Sequence, residues 1–320
     1  MSTLRNYPFS GRTARLLSYL LACCLLWMSA CKTSDDASAA AAQLTQTAKT
    51  LTDYYSALDT VLTETGQLYA VQEAVNPIAK YDSDTKALIA DTKAEIKKRE
   101  AVAKDLTEMA QEFAKLSGKN ATKDASDAAG KLSTELATLK QMQGTAGSIE
   151  LKAMTFALGA LTKAIQEKKE REAARQIDAF AGQLASWFEK EEPFCDSIGK
   201  NYAQVTKSLT ITLLNGKQAD ASPFLKVALD PYGLTPQLTD PALRDRVIDV
   251  LKTQVDEKST ALATSQQKAG EDLDKALKEM SKRIHLVAED KAMTVRIPPI
   301  TLANVEKWIA QSQGSPSSSN

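Results

Sequence analysis

The 320-residue chain has one histidine, seven phenylalanines and three tryptophans, and only 13 glycines and 10 prolines. A single imidazole removes the usual proton shuttle and the commonest metal ligand, and with them most histidine-based hydrolytic and zinc chemistry. Few glycines and prolines leave few turns. Aromatics at 6% leave alanine, leucine and valine to supply the apolar surface, which suits helix packed on helix better than a large sheet. Forty basic residues balance forty acidic ones, so no net field gathers nucleic acid. No glycine-rich phosphate loop, Cys-x-x-Cys pair or His-Glu-x-x-His segment occurs, so nucleotide and zinc signatures are missing. These scarcities predict an all-α chain with no catalytic residue, cofactor or metal.

What the chain does have is sustained helical spacing. Leu44, Ala48, Leu51, Tyr55, Leu58, Leu62, Thr65 and Tyr69 recur at alternating steps of four and three, the seam of a coiled-coil-like helix that Pro77 ends. Asp82 or Asp84 reads as the N-cap of a second helix carrying Leu106, Met109, Phe113 and Leu116 before Gly118. Residues 122–143 form a shorter helix with Leu132, Leu136 and Leu139. From Ser148 the pattern runs through Leu151, Met154, Leu158, Leu161 and Ile165, across a charged stretch, to Phe180, Leu184 and Trp187. This predicts one helix of about forty residues, against a usual eleven or twelve, interrupted at Pro193. A further helix through Ile198, Tyr202, Val205 and Leu209 ends near Asn215-Gly216. Four of the ten prolines, at 223, 231, 236 and 241, then mark a packed loop with a short helical turn at 224–229. Asp240-Pro241 reads as an N-cap followed by proline at the first helical position. The last long helix runs to about Glu289, bends at Gly270 and has Leu251, Val255, Leu262, Ala269, Leu273, Ala276, Met280 and Val287 on one face. Beyond it stand an extended segment at 293–300, a short helix around Val305 and Trp308, and a polar tail. The whole predicts an elongated bundle of long antiparallel helices: 44–215 as the bundle, 216–241 as the loop, 242–290 as a long helix packing back, and 291–320 as the remainder.

The first thirty residues read differently. Arg5, Arg12 and Arg15 precede an apolar stretch from Leu16 to Ala30, a positive region followed by a short hydrophobic one. Fifteen apolar residues fall short of the roughly 20 that cross a bilayer, so the stretch reads as a cleaved export signal. It ends in Met28-Ser29-Ala30-Cys31, which resembles the lipobox of bacterial lipoproteins, with methionine where leucine is usual. The resemblance implies cleavage between Ala30 and Cys31, acylation (palmitate or a similar chain) of the Cys31 sulfur and usually of its new amino group, and stable anchoring by two or three acyl chains. Cys23 and Cys24 lie inside the apolar run with leucines after them, whereas Cys31 opens onto the polar tether Lys-Thr-Ser-Asp-Asp and an alanine run, residues 31–43. Lys32 after the cysteine resembles the pattern sorted to the outer membrane in enterobacteria, which would face the protein into the periplasm. Cleavage removes three arginines and no acid, leaving 37 basic against 40 acidic side chains, and leaves Cys195 as the one unmodified cysteine.

The remaining candidates have structural readings. His285, between Ile284 and Leu286, is expected to complement a helix C-terminus. Glu189, Glu191 and Glu192, and Asp240, Asp245 and Asp249, do not fit calcium-loop spacing and read as solvated helix faces. Lys97-Lys98-Arg99 and Lys168-Lys169-Glu170-Arg171 are interleaved with glutamates and read as exposed surface. Cys195 is expected to be buried as a small hydrophobe. Residues 149–165, the most apolar stretch after the signal, resemble in a general way the tongue of helical pore-forming toxins, but read as the most deeply buried helix, with Gly159 admitting a close helix contact. The function expected is a lipid-anchored helical binding or structural module of the bacterial envelope, held to the bilayer through Cys31, with an envelope protein as partner and no nucleic acid. The alternatives are a helical membrane-inserting protein and, behind it, a carboxylate-based enzyme.

Overall fold

The computed structural model describes residues 11–76, 83–114, 121–140, 148–167, 169–235, 237–289 and 302–312. The chain is an all-α bundle, with no strand among the described residues. Helix α1 spans Gly11–Val75, α2 Ser83–Ala114, α3 Ala121–Thr138, α4 Ser148–Gln166 and α5 Glu170–Asn215. A 3-10 turn at Ser222–Leu225, the one-turn helix α6 at Lys226–Leu229 and a second 3-10 turn at Asp230–Tyr232 follow. Helix α7 at Pro241–Ala288 and α8 at Ala303–Ser312 complete the order. The 46 residues of α5 and 48 of α7 are each about 70 Å of helix at 1.5 Å per residue, which gives the bundle its long axis.

Helix α1 is the hub. Its expected seam is buried from Leu44 through Thr65, and a second stripe of Tyr54, Ala57 and Val61 is buried beside it, because α2 packs on one side while α5, α7 and α8 pack on the other. Helices α3 and α4 extend the same core through Leu132, Leu136, Met154, Leu158 and Leu161. Helices α5 and α7 run antiparallel, tied by His285 to Asp178 (2.9 Å), Lys278 to Glu189 (2.7 Å) and Ser259 to the Ala203 carbonyl (2.9 Å), with Lys207 paired to Asp256 further out. Their far ends enclose a small second core of Leu214, Ala221, Val247 and Ile248 under the proline-rich connection. The apolar face of α7 is therefore buried from Ala269 to Met280, where several helices surround it, and only half-buried at Leu251, Val255 and Leu262, in the stretch leading to that second core.

Two expectations about helix boundaries are corrected. The long helix does not cross 167–169: α4 stops at Gln166, closed by a hydrogen bond from the Lys169 amide to the Ala164 carbonyl (2.8 Å), and α5 doubles back so that Lys190 pairs with Glu150. Proline 193 does not interrupt α5. Its ring lies on the exposed side while Phe188, Cys195 and Ile198 are buried around it, so packing offsets a penalty of about 3 kcal/mol. Helix α7 is continuous through Gly270, where a Cβ would meet the Glu192 side chain at 3.2 Å and the Tyr54 hydroxyl at 3.3 Å, so the glycine permits close packing.

At the ends of the helices the predicted residues and the observed geometry agree in part. Helix α2 begins at Ser83, with Asp84 in its first turn, and Asp82 lies outside the described residues. Asp240 caps α7 by accepting from the Ala242 amide (2.8 Å), with Pro241 at the first helical position. Helix α5 ends at Asn215, but Gly216 is right-handed and Lys217 carries the positive φ of 57°. The extended segment at 293–300, Leu116 and the tail after Ser312 also lie outside the described residues.

Helix α8 inserts Leu302, Val305 and Trp308 between α1 and α7, with the Trp308 ring 5.2 Å from that of Tyr54. Asn304 bonds Asp272 (2.7 Å) and Ser265 bonds Gln311 (3.0 Å), which fixes α8 antiparallel to α7. Trp308→Ala is expected to cost about 3–5 kcal/mol of unfolding free energy in a urea titration. Leu58→Asp and Leu273→Asp place an unpaired carboxylate at fully buried positions and should abolish the cooperative transition.

Candidate functional site

Ala30 and Cys31, the expected cleavage and lipidation positions, fall on the backbone of α1, and their side chains lie outside the described residues. Cys31 precedes Leu44, the first core side chain among the described residues, by about 20 Å of helix axis. The expected tether, 31–43, is helical and continuous with the hub helix.

Inside the bundle the structure brings together two residues expected on the surface. Arg99 and Glu191 are 0% and 1% exposed and form a two-pronged ion pair, Nε to Oε2 at 2.8 Å and Nη2 to Oε1 at 2.5 Å. The reading of Lys97-Lys98-Arg99 and of Glu189-Glu191-Glu192 as wholly solvated faces is thus corrected. Lys97 stays exposed and Lys98 pairs with Glu95, but Arg99 turns inward; Glu189 stays exposed, but Glu191 does not. The signal was present in the spacing. Ile96, Arg99, Ala103 and Leu106 step by three and four, as do Leu184, Phe188, Glu191, Cys195 and Ile198, so each charge occupies a seam position of its own helix.

The guanidinium also donates to the Lys140 carbonyl (3.0 Å) and the Glu95 carbonyl (3.2 Å), and lies 5.7 Å from the centre of the Trp187 ring. Glu95 accepts from the Lys140 amide (3.1 Å), so the end of α3 is tied to the same cluster. Burial works to lower the Arg99 pKa, but the bonds to Glu191 and its charge outweigh burial and hold the guanidinium charged. Each guanidinium nitrogen is spent on protein acceptors with fixed geometry, the Glu191 carboxylate, the Glu95 carbonyl and carboxylate and the Lys140 carbonyl, which is the arrangement of a structural brace.

One turn further along α5, Gln266 of α7 donates to the Cys195 carbonyl (3.0 Å) and to the Tyr54 hydroxyl (3.4 Å), and Gly199 leaves room for it: a Cβ there would collide with the amide. Cys195 is fully buried, as expected, and burial together with the Glu191 charge pushes its thiol well above the ordinary value, so it stays protonated and unreactive. Glu192 and Asp196 stand on the same face. Burial and the charges of Asp196, Asp274 and Glu271 push Glu192 up; burial and Glu271 push Asp196 up against the pull of Lys200.

The other candidates are surface groups. His285 is half-exposed and clasps α7 to α5 through Asp178. Asp240 is the cap described above, and Asp245 and Asp249 are exposed. Lys169 and Arg171 are exposed, Lys169 bonded to Glu167 (2.5 Å), while Lys168 lies outside the described residues. Residues 149–165 are only half as expected: Leu151, Met154, Leu158, Leu161 and Ile165 are buried, but Ile149 and Phe156 are 75% and 78% exposed. Gly159 makes no close helix contact, because it faces open space with nothing within 4 Å of a Cβ. Tyr232 and Leu234 are exposed at the tip of the α5–α7 hairpin. Among the described residues no three histidine, cysteine or acidic side chains are grouped to hold a metal ion, and no helix is long and apolar enough to cross a membrane. No protein-family model, no curated protein and no solved structure matches this chain.

Two outcomes are expected from this geometry. Glu191→Gln breaks a buried pair and should cost about 3–5 kcal/mol, whereas Glu189→Gln removes an exposed one and should cost at most about 1 kcal/mol, both read from urea midpoints. Glu192 and Asp196 bind protons more tightly folded than unfolded, so their contribution is fully present below about pH 4 and is lost as pH rises through their raised values. The double variant Glu192→Gln, Asp196→Asn should therefore melt above wild type at pH 7, and the gap should close as the pH is lowered.

Proposed function

We propose that the chain is a lipid-anchored helical lipoprotein of the bacterial cell envelope that serves as a binding or structural module without catalysis. The observation that carries this reading is the order Arg5, Arg12, Arg15, the apolar stretch Leu16–Ala30, and Ser29-Ala30-Cys31 opening onto a polar segment. Acylation at Cys31 holds the protein to the bilayer, facing the periplasm from the outer membrane if the cell has one.

The arrangement of helices supports the reading. Helix α1 carries Cys31 ahead of the core, and α5 and α7 carry the proline-rich tip to the opposite end of the long axis, so an anchor at Cys31 leaves the tip free to meet a partner in the envelope. The buried carboxylate Glu191 is committed to Arg99, and the buried thiol is protonated, which supports a role in packing for both. Cys31→Ser should remain unprocessed or leave the membrane fraction and lose label from radioactive palmitate. Unchanged mature mass, label and fractionation in that variant would refute the lipoprotein reading.

A further inference from the structure

Helix α4 presents an outward stripe that combines exposed apolar side chains with basic ones. Ile149, Lys152, Phe156, Gly159 and Lys163 step by three and four and are all exposed, so they line one face about 21 Å long. Phe156 at 78% and Ile149 at 75% are among the most exposed large apolar side chains in the structure. The charges in this stripe are both positive. Glu150, the one carboxylate within α4, is 6% exposed and paired with Lys190, which removes it from the outer face. Glu167, just past the helix end, is held by Lys169 at 2.5 Å and reaches Lys163 only at 4.0 Å, an exposed contact of little worth, and Arg171 adds a further exposed cation there.

We propose that this face of α4 is a membrane-surface contact for an anionic bilayer, a proposal that rests on the lipid-anchored reading for the bilayer's presence. Phe156 and Ile149 enter the headgroup and upper acyl region while Lys152 and Lys163 pair with lipid phosphates, the division of labour of an interfacial helix. Gly159, with nothing within 4 Å, leaves the stripe flat between Phe156 and Lys163. The helix does not leave the bundle, because Leu151, Met154, Leu158, Leu161 and Ile165 hold its other side in the core. Charge separates this occupant from a second copy of the chain. Two such helices packed antiparallel about their centre bring Lys152 opposite Lys163 at both ends, and packed parallel they stack each lysine on itself, so self-pairing repels while anionic phosphate attracts.

The test uses the chain from Lys32 onward, which keeps every described side chain of both hydrophobic cores and has neither Cys31 nor the apolar leader. It is mixed with extruded vesicles of phosphatidylglycerol and phosphatidylcholine in equal parts, or of phosphatidylcholine alone, and separated by flotation. The chain should float with the anionic vesicles and not with the neutral ones. Lys152→Ser and Lys163→Ser should each weaken partition about fivefold. Phe156→Asp should weaken it about tenfold or more, with an unchanged melting temperature because the side chain is exposed. Tyr232→Asp, at the far tip, should leave it unaltered.

Four results overturn the proposal: no flotation with anionic vesicles, flotation indifferent to Phe156→Asp, leakage of trapped dye, which would mean insertion, or a dimer abolished by Phe156→Asp without vesicle binding. None of these bears on Cys31, and loss of palmitate labelling in the full chain would leave the flotation result standing.

Discussion

The Arg99–Glu191 pair is the constraint on which the arrangement of the helices turns. Seams built of leucine and alanine at three-four spacing are nearly self-similar, and a slide by one turn costs them little. A buried charge is not self-similar. Moving α5 by one turn against α2 would leave a guanidinium and a carboxylate unpaired in an apolar core, a penalty of several kcal/mol for each. Helix α2 packs on α1 and α3, and α5 on α1, α4 and α7, so the long Arg99 side chain crosses between layers that are not otherwise side by side. Through Lys140 and Glu95 the same cluster also fixes where α3 ends. One ion pair therefore sets the relative register of three helices, and the antiparallel α5–α7 pairing inherits its position from them.

Order along the long axis follows from how many helices share each level. Around Tyr54, Phe188 and Leu273, helices α1, α5, α7 and α8 meet, and the Tyr54 ring lies 5.9 Å from that of Phe188 and 5.2 Å from that of Trp308. Toward the tip, α5 and α7 close on the small core of Leu214, Ala221, Val247 and Ile248. Less apolar surface is buried per residue there, so local opening costs less than at the four-helix level, and the tip adjusts its shape more readily than that level does. A proline-rich connection suits that place, since it limits the conformations of a segment that packing secures weakly.

The fold was legible in the sequence wherever the apolar spacing was uninterrupted: the seam of α1, the leucines of α3 and the buried half of α7 lie where three-four counting puts them. What was not legible has physical causes. The reversal at 167–169 uses neither glycine nor proline, so nothing local distinguishes it from continued helix, and only packing of α5 back on α4 decides it. Pro193 looks like a stop by local rules, yet an exposed ring on a helix gripped from one side is tolerated. Arg99 and Glu191 were hidden by the habit of assigning charge to surface, although their spacing placed both in seams. Gly159 and Phe156 show the converse error: an apolar composition says that a helix is sticky and does not say on which side. Of the candidate functional positions, Cys31 was read wholly from local sequence, and its chemistry does not depend on the bundle.

An anchor and an interfacial face on one rod have consequences that neither has alone. A flexible tether would let a lipid-anchored bundle sample every orientation, but residues 31–43 continue α1 as helix, which would restrict the angle between a lipid at Cys31 and the core. A second contact along α4 would be intramolecular once the lipid is inserted, so even a weak stripe of two lysines and two apolar side chains acts at a high effective concentration. The two together would hold the bundle's α4 side toward the bilayer, with the long axis lying along the surface and α7 and α8, which do not pack on α4, turned away from it. Without the α4 contact the same lipid would leave the rod free to stand off the surface. If both contacts form, the posture of the protein, and hence which surface a partner meets, would follow the anionic lipid content of the bilayer.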